Sequence, residues 1–289
     1  MRRRIGAFGV KDLFTLVNLL SGVIAVRFAL SDRVRPAGYA VVVGFLCGDL
    51  LDGFVARRTG TGNTFGAEFD SLTDHFVHVV VPSLILYVVY QDGGHAWLGL
   101  GVVGALVGAA TIRHARFAVE RFAFPLCWCG LPRTIAGFAA MSFPLSTVFF
   151  ARNPERYWTG FGVVTVLSLL TLLPVPYMTH RGERAMQPYV KLFVGLFIVT
   201  PVVLFVVDRQ YAFDLFFFWI AGYALFGWFP VSRDERRLFY REYRRWSARV
   251  ADAGSKGDVG SGRGSEREGE DGLAHPVDGL GIAIGVERE

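Results

Sequence analysis

The chain has 289 residues, of which 52% are hydrophobic and 19% are charged, and its formal net charge is +5. Soluble domains usually carry about 25% charged residues, so this composition excludes an ordinary soluble globule, a disordered chain and a nucleic-acid binder. It favours a membrane protein with several spans. The three cysteines are too few for a disulfide framework. Cys127 and Cys129 form a lone pair without the further ligands that a zinc site needs.

Eight apolar segments are long enough, at about 20 residues each, to cross a bilayer. The first follows Arg2, Arg3 and Arg4 and lacks a cleavage site, which predicts a retained helix rather than a signal peptide. We therefore predict an all-α fold, a polytopic membrane helix bundle of about eight transmembrane helices. The predicted spans are 13–30, 38–58, 70–90, 96–118, 133–151, 157–178, 189–207 and 213–231.

The distribution of basic residues predicts the orientation of the bundle. With the N-terminus inside, the cytoplasmic segments carry 20 Lys and Arg residues and the outer loops carry five. Basic residues are enriched in the cytoplasmic loops of membrane proteins. Both termini are therefore predicted to be cytoplasmic.

The chain is predicted to have four parts: an amphipathic N-terminal segment (1–12), a transmembrane domain (13–232), a basic helix (233–250) and an acidic tail (251–289). In the basic helix, seven arginines alternate with aromatic residues, which is typical of a helix lying on an anionic leaflet. The tail contains ten glycines and nine acidic residues but no Phe, Tyr or Trp. Such a segment buries too little apolar surface to fold, so we predict that it is disordered.

Four aspartates fall within or beside the second and third spans, namely Asp49, Asp52, Asp70 and Asp74. Ionisable residues at membrane depth are costly and indicate function. Spacings of three and four place each pair on one helix face, and a short inside loop makes the two spans an antiparallel hairpin. Facing carboxylates repel one another in a low dielectric. Hard divalent cations such as Mg²⁺ or Mn²⁺, which prefer oxygen ligands, would relieve that repulsion.

The residues around these aspartates suit a phosphate-handling site. Gly53 and Ala56 lie on one face and are small enough for a ligand to approach the backbone. The planar guanidinium of Arg57 suits phosphate recognition. Gly66 lies near the start of the third span, where main-chain N–H groups are free to bind an anion.

Together these residues form one pattern: Asp49-x2-Asp52-Gly53-x2-Ala56-Arg57-x8-Gly66-x3-Asp70-x3-Asp74. The pattern resembles the signature of the CDP-alcohol phosphotransferase (CDP-alcohol phosphatidyltransferase) family. In that family a CDP-activated lipid donates its phosphatidyl group to an alcohol, and CMP leaves.

The resemblance implies roles for each matching residue. Two divalent cations, Mg²⁺ or Mn²⁺, would be held by the first three aspartates with help from Asp74, which would also be the general base for the acceptor hydroxyl. The CDP-lipid pocket would be lined by Asp49, Asp52, Gly53, Ala56, Arg57, Gly66 and Asp70. The resemblance also implies a homodimer, and a protein of the plasma membrane whose active site lies on the cytoplasmic side.

Four further segments resemble phosphatidylserine synthases: Phe14–Gly22, Phe65–Asp74, Arg113–Phe117 followed by Gly130–Pro132, and Pro174–Tyr177. This resemblance implies L-serine as the acceptor and a phosphatidyl or archaetidyl group as the cargo. Ala118 and Arg133 depart from the subfamily pattern, so glycerol phosphate, inositol phosphate and choline stay open as acceptors. An ion-coupled transporter is a further alternative, but it predicts inverted repeats, which the sequence does not show.

Several residues have two readings. Thr15 and Asn18 would contact the nucleotide or form polar contacts between helices. Arg113, Arg116 and Arg133 would bind the acceptor or serve as cytoplasmic anchors. His75 and His78 are expected to point away from the aspartates.

Overall fold

The computed structural model describes residues 9–51, 64–119, 122, 124–179 and 188–261. Asp52, Gly53, Ala56 and Arg57 of the predicted site lie outside these residues. The contacts divide the chain into two units, Met1–Trp246 and Ser247–Glu289, and every contact described below lies within the first.

The described part of the chain is mostly helical, as the hydropathy pattern predicts. The helices are α1 (Val10–Ala29), α2 (Val34–Gly44), α3 (Thr64–Asp92), α4 (Ala96–Val119), α5 (Arg133–Leu145), α6 (Arg156–Leu172), α7 (Pro188–Val207), α8 (Ala212–Phe226) and α9 (Arg233–Ser261). Two short strands, β1 (Cys127–Cys129) and β2 (Pro176–Met178), pair antiparallel, with Trp128 opposite Tyr177.

Three π-helical turns interrupt or extend these helices. Phe45–Asp49 continues α2, Phe76–Val80 lies inside α3, and Thr147–Ala151 follows α5. A π turn contains one more residue than an α turn and therefore changes which side chains share a helix face. Two of the three turns contain side chains of the candidate site.

Three helices in the described regions are long and apolar enough to cross a membrane: Lys11–Ala29, Thr64–Asp92 and Ala96–Ala118. The chain is accordingly an integral membrane protein. Helices α1 to α8 follow the order of the eight predicted spans, but eight crossings and cytoplasmic termini stay predictions. Some α-helical segments are short for local reasons: α5, for example, ends at Leu145 after Pro144, and Ser146 is extended.

Helix α5 lies at the centre of the bundle, where every residue from Ala136 to Leu145 is buried. It contacts α3, α6 and α8. Its small residues allow close approach: a Cβ added at Gly137 would collide with the main-chain carbonyl oxygen of His78 in α3. The closeness of α5 to α3 therefore depends on glycine at this position.

Helices α1 and α2 also pack through glycine. Gly44 and Gly48 lie four residues apart, the small-residue spacing that lets membrane helices approach closely. A Cβ at Gly48 would lie 2.5 Å from the Asn18 Cβ and 2.8 Å from the Asn18 nitrogen. This contact brings the π-helical turn that ends at Asp49, the next residue, against α1.

Two aromatic rings of α9, the helix predicted to lie on an anionic leaflet, pack against protein. Phe239 and Trp246 are 0% and 2% exposed, and Phe239 packs with Cys127 and Cys129 of β1. The arginines of the opposite side are exposed. The helix continues to Ser261, beyond the predicted boundary at residue 250 and into the predicted tail; residues 262–289 lie outside the description.

A buried acid links α8 to the end of α5. Asp214 is 7% exposed and accepts hydrogen bonds from the Ser146 hydroxyl (2.5 Å) and from the main-chain N–H groups of Thr147 (2.9 Å) and Val148 (2.5 Å). These donors lie at the start of a π-helical turn, where main-chain N–H groups lack partners within the helix. The carboxylate therefore caps that turn.

We predict that Asp214→Ala lowers the free energy of unfolding by about 3 kcal/mol, because three donors would lose a charged and buried acceptor. The thermal midpoint of the purified protein in detergent measures this effect. Asp92→Ala, at the exposed end of α3, is the matched control and should leave the midpoint nearly unchanged. Equal losses in the two variants would contradict the capping role.

Candidate active site

One face of α3 carries the charged residues of the candidate site. Gly66, Asp70, Asp74 and His78 recur at intervals of four, which places their side chains on neighbouring turns of one helix side. Asp70 and Asp74 are half-buried, and His78 is fully buried. Gly66 is buried as well, so the two aspartates are the more exposed residues of this face.

Asp49 of α2 joins this face. The ligand atoms of Asp49, Asp74 and His78 lie within 4.8 Å of one another, a grouping that could hold a metal ion. Asp49 ends the π turn of α2, and His78 lies in the π turn of α3. π turns are often found at functional sites, where they alter the direction of a side chain. Asp49 of the second predicted span therefore lies close to Asp74 of the third, as the predicted antiparallel hairpin requires.

The expectation that His78 points away from the aspartates is wrong. Its Nδ1 lies 3.3 Å from Oδ1 of Asp74, and its ring packs edge-on against Phe45 and Phe138. Its Nε2 has no hydrogen-bond partner among the described atoms. The separation of four residues between Asp74 and His78 was the signal that could have placed both on one face.

A cation lies beside these carboxylates. Arg133, the first residue of α5, donates from Nη2 to the main-chain oxygen of Ser71 (3.0 Å) and its hydroxyl (3.3 Å). Asp74, Asp70 and Asp49 all interact electrostatically with its guanidinium. An opposite charge at short range stabilises the ionised form of a carboxylate, so Arg133 supports the acids at this site.

Arg113 and Arg116 have structural partners. Arg113 donates to the main-chain oxygens of Cys129 and Thr171, and Arg116 donates to that of Leu172 (3.3 Å). Thr171 and Leu172 are the last residues of α6, where main-chain carbonyls lack helical partners and favour cations. These contacts support an anchoring role, and acceptor binding by the two residues stays a prediction.

Thr15 and Asn18 are both 1% exposed within α1. The main chain of Asn18 lies against Gly48, so its position between two helices fits a polar interhelical contact. Its Oδ1 has no hydrogen-bond partner in the part of the chain that the structure describes. Nucleotide binding by Thr15 and Asn18 stays a prediction.

The N-terminal end of α1 meets Gly66. Asp12 is fully buried, and it accepts a hydrogen bond from the Gly9 main chain at 2.7 Å and pairs with Lys11 at 3.6 Å. A Cβ at Gly66 would overlap the ends of both side chains. Lys11, which belongs to the predicted N-terminal segment, is thus largely buried beside a predicted pocket residue.

The cysteines of β1 do not belong to the group formed by Asp49, Asp74 and His78. Cys127 and Cys129 are both buried, and they pack with Val231 and with Phe239 of α9. Burial raises the pKa of the Cys129 thiol to about 11. The free thiol is therefore protonated at neutral pH.

Comparison with known proteins gives consistent matches. A family model described as CDP-alcohol phosphatidyltransferase matches residues 10–171. A CDP-diacylglycerol–serine O-phosphatidyltransferase of Helicobacter pylori is 31% identical over 196 residues, which cover 66% of this chain and 80% of that protein. Enzymes of the same name are 25% identical in Methanocaldococcus jannaschii (66% of this chain, 80% of that protein) and in Bacillus subtilis (60% and 93%).

We predict that Gly137→Ala disturbs the site without changing any of its side chains. The added methyl group would push α5 away from the His78 carbonyl, which should lower stability by about 2 kcal/mol and weaken Mn²⁺ binding about 10-fold. The thermal midpoint and electron paramagnetic resonance of added Mn²⁺ measure the two effects. In the control, Gly104→Ala of α4, the methyl group meets no atom within 4 Å; a similar loss there would contradict the prediction.

Proposed function

The chain belongs to the CDP-alcohol phosphatidyltransferase family, and on that premise we propose that it transfers a phosphatidyl or archaetidyl group from a CDP-activated lipid to L-serine, releasing CMP. The observation that supports this reaction best is the meeting of Asp49, Asp74 and His78 within 4.8 Å. Serine is the proposed acceptor because several relatives carry the name of a serine phosphatidyltransferase.

The proposed cofactors are two divalent cations, Mg²⁺ or Mn²⁺, held by Asp49, Asp52, Asp70 and Asp74. The residues fit such ions, since carboxylate oxygens are their preferred ligands and the buried imidazole of His78 offers a further donor. When bound, the cations would neutralise the diphosphate and stabilise the departing CMP. Arg133 adds a fixed positive charge beside the same carboxylates.

Asp74 is the proposed general base. In this step the serine hydroxyl oxygen bonds to the phosphorus that carries the lipid, the hydroxyl proton moves to the Asp74 carboxylate, and the bond from that phosphorus to the CMP oxygen breaks. His78, 3.3 Å away, restricts the orientation of the carboxylate. No covalent enzyme intermediate is part of the proposal.

The rest of the proposed CDP-lipid site comprises Thr15, Asn18, Gly53, Ala56, Arg57 and Gly66. Gly66 lies in the first turn of α3, and its lack of a side chain allows the close approach that a ligand there would need. Lys11 and Asp12, which pair with each other, lie at the same place. The proposed acceptor residues are Arg113, Arg116 and Arg133. Of these, Arg133 interacts electrostatically with Asp49, Asp70 and Asp74.

We further propose that the protein resides in the plasma membrane with eight spans, that both termini and the active site face the cytoplasm, and that two copies form a homodimer. The excess of basic residues in the predicted inner loops supports this orientation. The three apolar helices support membrane insertion.

The first test of the proposed function is an acceptor panel. The purified full-length chain in lipid micelles receives CDP-diacylglycerol and Mn²⁺, and CMP release is measured with serine, glycerol phosphate, inositol phosphate or choline. We expect release that depends on serine and stops when the metal is chelated. Equal release with and without every alcohol would refute the synthase, and release with another alcohol alone would replace serine as the acceptor.

The second test concerns the base. Asp74→Asn should lower turnover by about 1,000-fold, because the amide cannot accept the hydroxyl proton, while CDP-lipid binding stays largely intact. CMP release and equilibrium binding of the labelled CDP-lipid measure the two quantities. Asp92→Asn is the control at an exposed position of the same helix. Loss of binding together with turnover would count against the role of Asp74 as the base.

A further inference from the structure

A second polar face of α3 runs beside the face that carries the aspartates. Glu68, Ser71 and His75 recur at spacings of three and four, which align them along the helix. Two residues from other helices complete this group, His114 of α4 and Arg133 of α5. We call His75, His114 and Arg133 the histidine–arginine cluster.

The cluster is connected by short contacts. Nη1 of Arg133 lies 2.6 Å from Nδ1 of His114, and the rings of His114 and His75 stack with centroids 5.7 Å apart. Arg133 is also fixed by Ser71 of α3. Three helices therefore hold the donor groups of the cluster in place.

The chemistry of the cluster suits an anion. His75 and His114 do not belong to the group of metal-type ligands found among the described residues. Both rings are half-buried, and Nδ1 of His75 is a buried atom without a hydrogen-bond partner in the described regions. A guanidinium and two imidazoles thus offer donors in one place, and Glu68 provides a negative charge that interacts with His114.

The position of the cluster relates it to the reacting groups. His75 directly follows Asp74, the proposed base, and Arg133 interacts electrostatically with Asp74 while contacting His114. An acceptor anion held by the cluster would therefore place the rest of a small acceptor next to Asp74. The acceptor of the proposed reaction, an amino acid with a hydroxyl group, carries such an anion.

We propose that His75, His114 and Arg133 form the acceptor subsite and bind the carboxylate of an amino-acid alcohol. The inference rests on the proposed function and adds two histidines to the acceptor residues. The guanidinium and the imidazole N–H groups donate to the carboxylate, and Glu68, whose charge interacts with His114, offers a partner for the acceptor ammonium. The hydroxyl group then faces the Asp74 carboxylate.

The test measures both substrates in the full-length enzyme. His114→Ala and His75→Ala should each raise the KM for serine about 10- to 100-fold, since each removes a hydrogen bond to a charged group. The KM for CDP-diacylglycerol should stay the same. His114→Gln, which retains an N–H donor, should restore part of the serine affinity, a recovery that a purely structural role would not produce.

His95→Ala, at the exposed position directly before α4, is the matched control and should leave both KM values unchanged. An unchanged serine KM in His114→Ala, or a rise in the KM for CDP-diacylglycerol instead, would overturn the assignment. These outcomes presuppose a wild-type enzyme with serine-dependent CMP release. A wild-type enzyme that shows no serine-dependent CMP release would refute the proposed function itself. Failure of the proposed function can therefore be distinguished from failure of the proposed subsite.

Discussion

A carboxylate inside a membrane protein is stable only beside a compensating charge, a hydrogen-bond donor or a metal ion, and this requirement orders the bundle. At the candidate site Asp49, Asp70 and Asp74 interact with Arg133, and Asp74 contacts His78. The partners come from α2, α3 and α5, so compensating the acids requires these helices to meet. Asp214 follows the same rule with different partners, because three donors from the end of α5 surround it.

Glycine allows the helices to come close enough for those contacts. Gly48 lets α1 lie against the residue that precedes Asp49, and Gly137 lets α5 lie against the carbonyl of His78. The absence of a side chain at each position lets a neighbouring main chain approach closely. The π turns of α2 and α3 then direct Asp49 and His78 to a common place.

The described arginines have different partners, and these partners do not follow from their positions in the sequence. Arg113 and Arg116 bind the carbonyls at the end of α6, while Arg133 contacts Ser71 and His114 beside the acids. The basic helix α9 shows a further division, with arginines exposed and two aromatic rings buried on the protein. Arginine therefore has three roles in this protein: it binds main-chain carbonyls, it balances the charge of carboxylates, and it forms the exposed side of α9.

The sequence by itself determined the helical class, the order of the helices and the spacing of Asp70 and Asp74, because hydropathy and helical periodicity depend on local residues. It also determined the family, since the aspartate pattern lies along one continuous segment. Only the tertiary structure decided that His78 joins Asp49 and Asp74, that Arg133 lies beside them and that α9 buries Phe239. These contacts depend on how each helix is rotated and how closely it approaches its neighbours, which residues distant in sequence decide together.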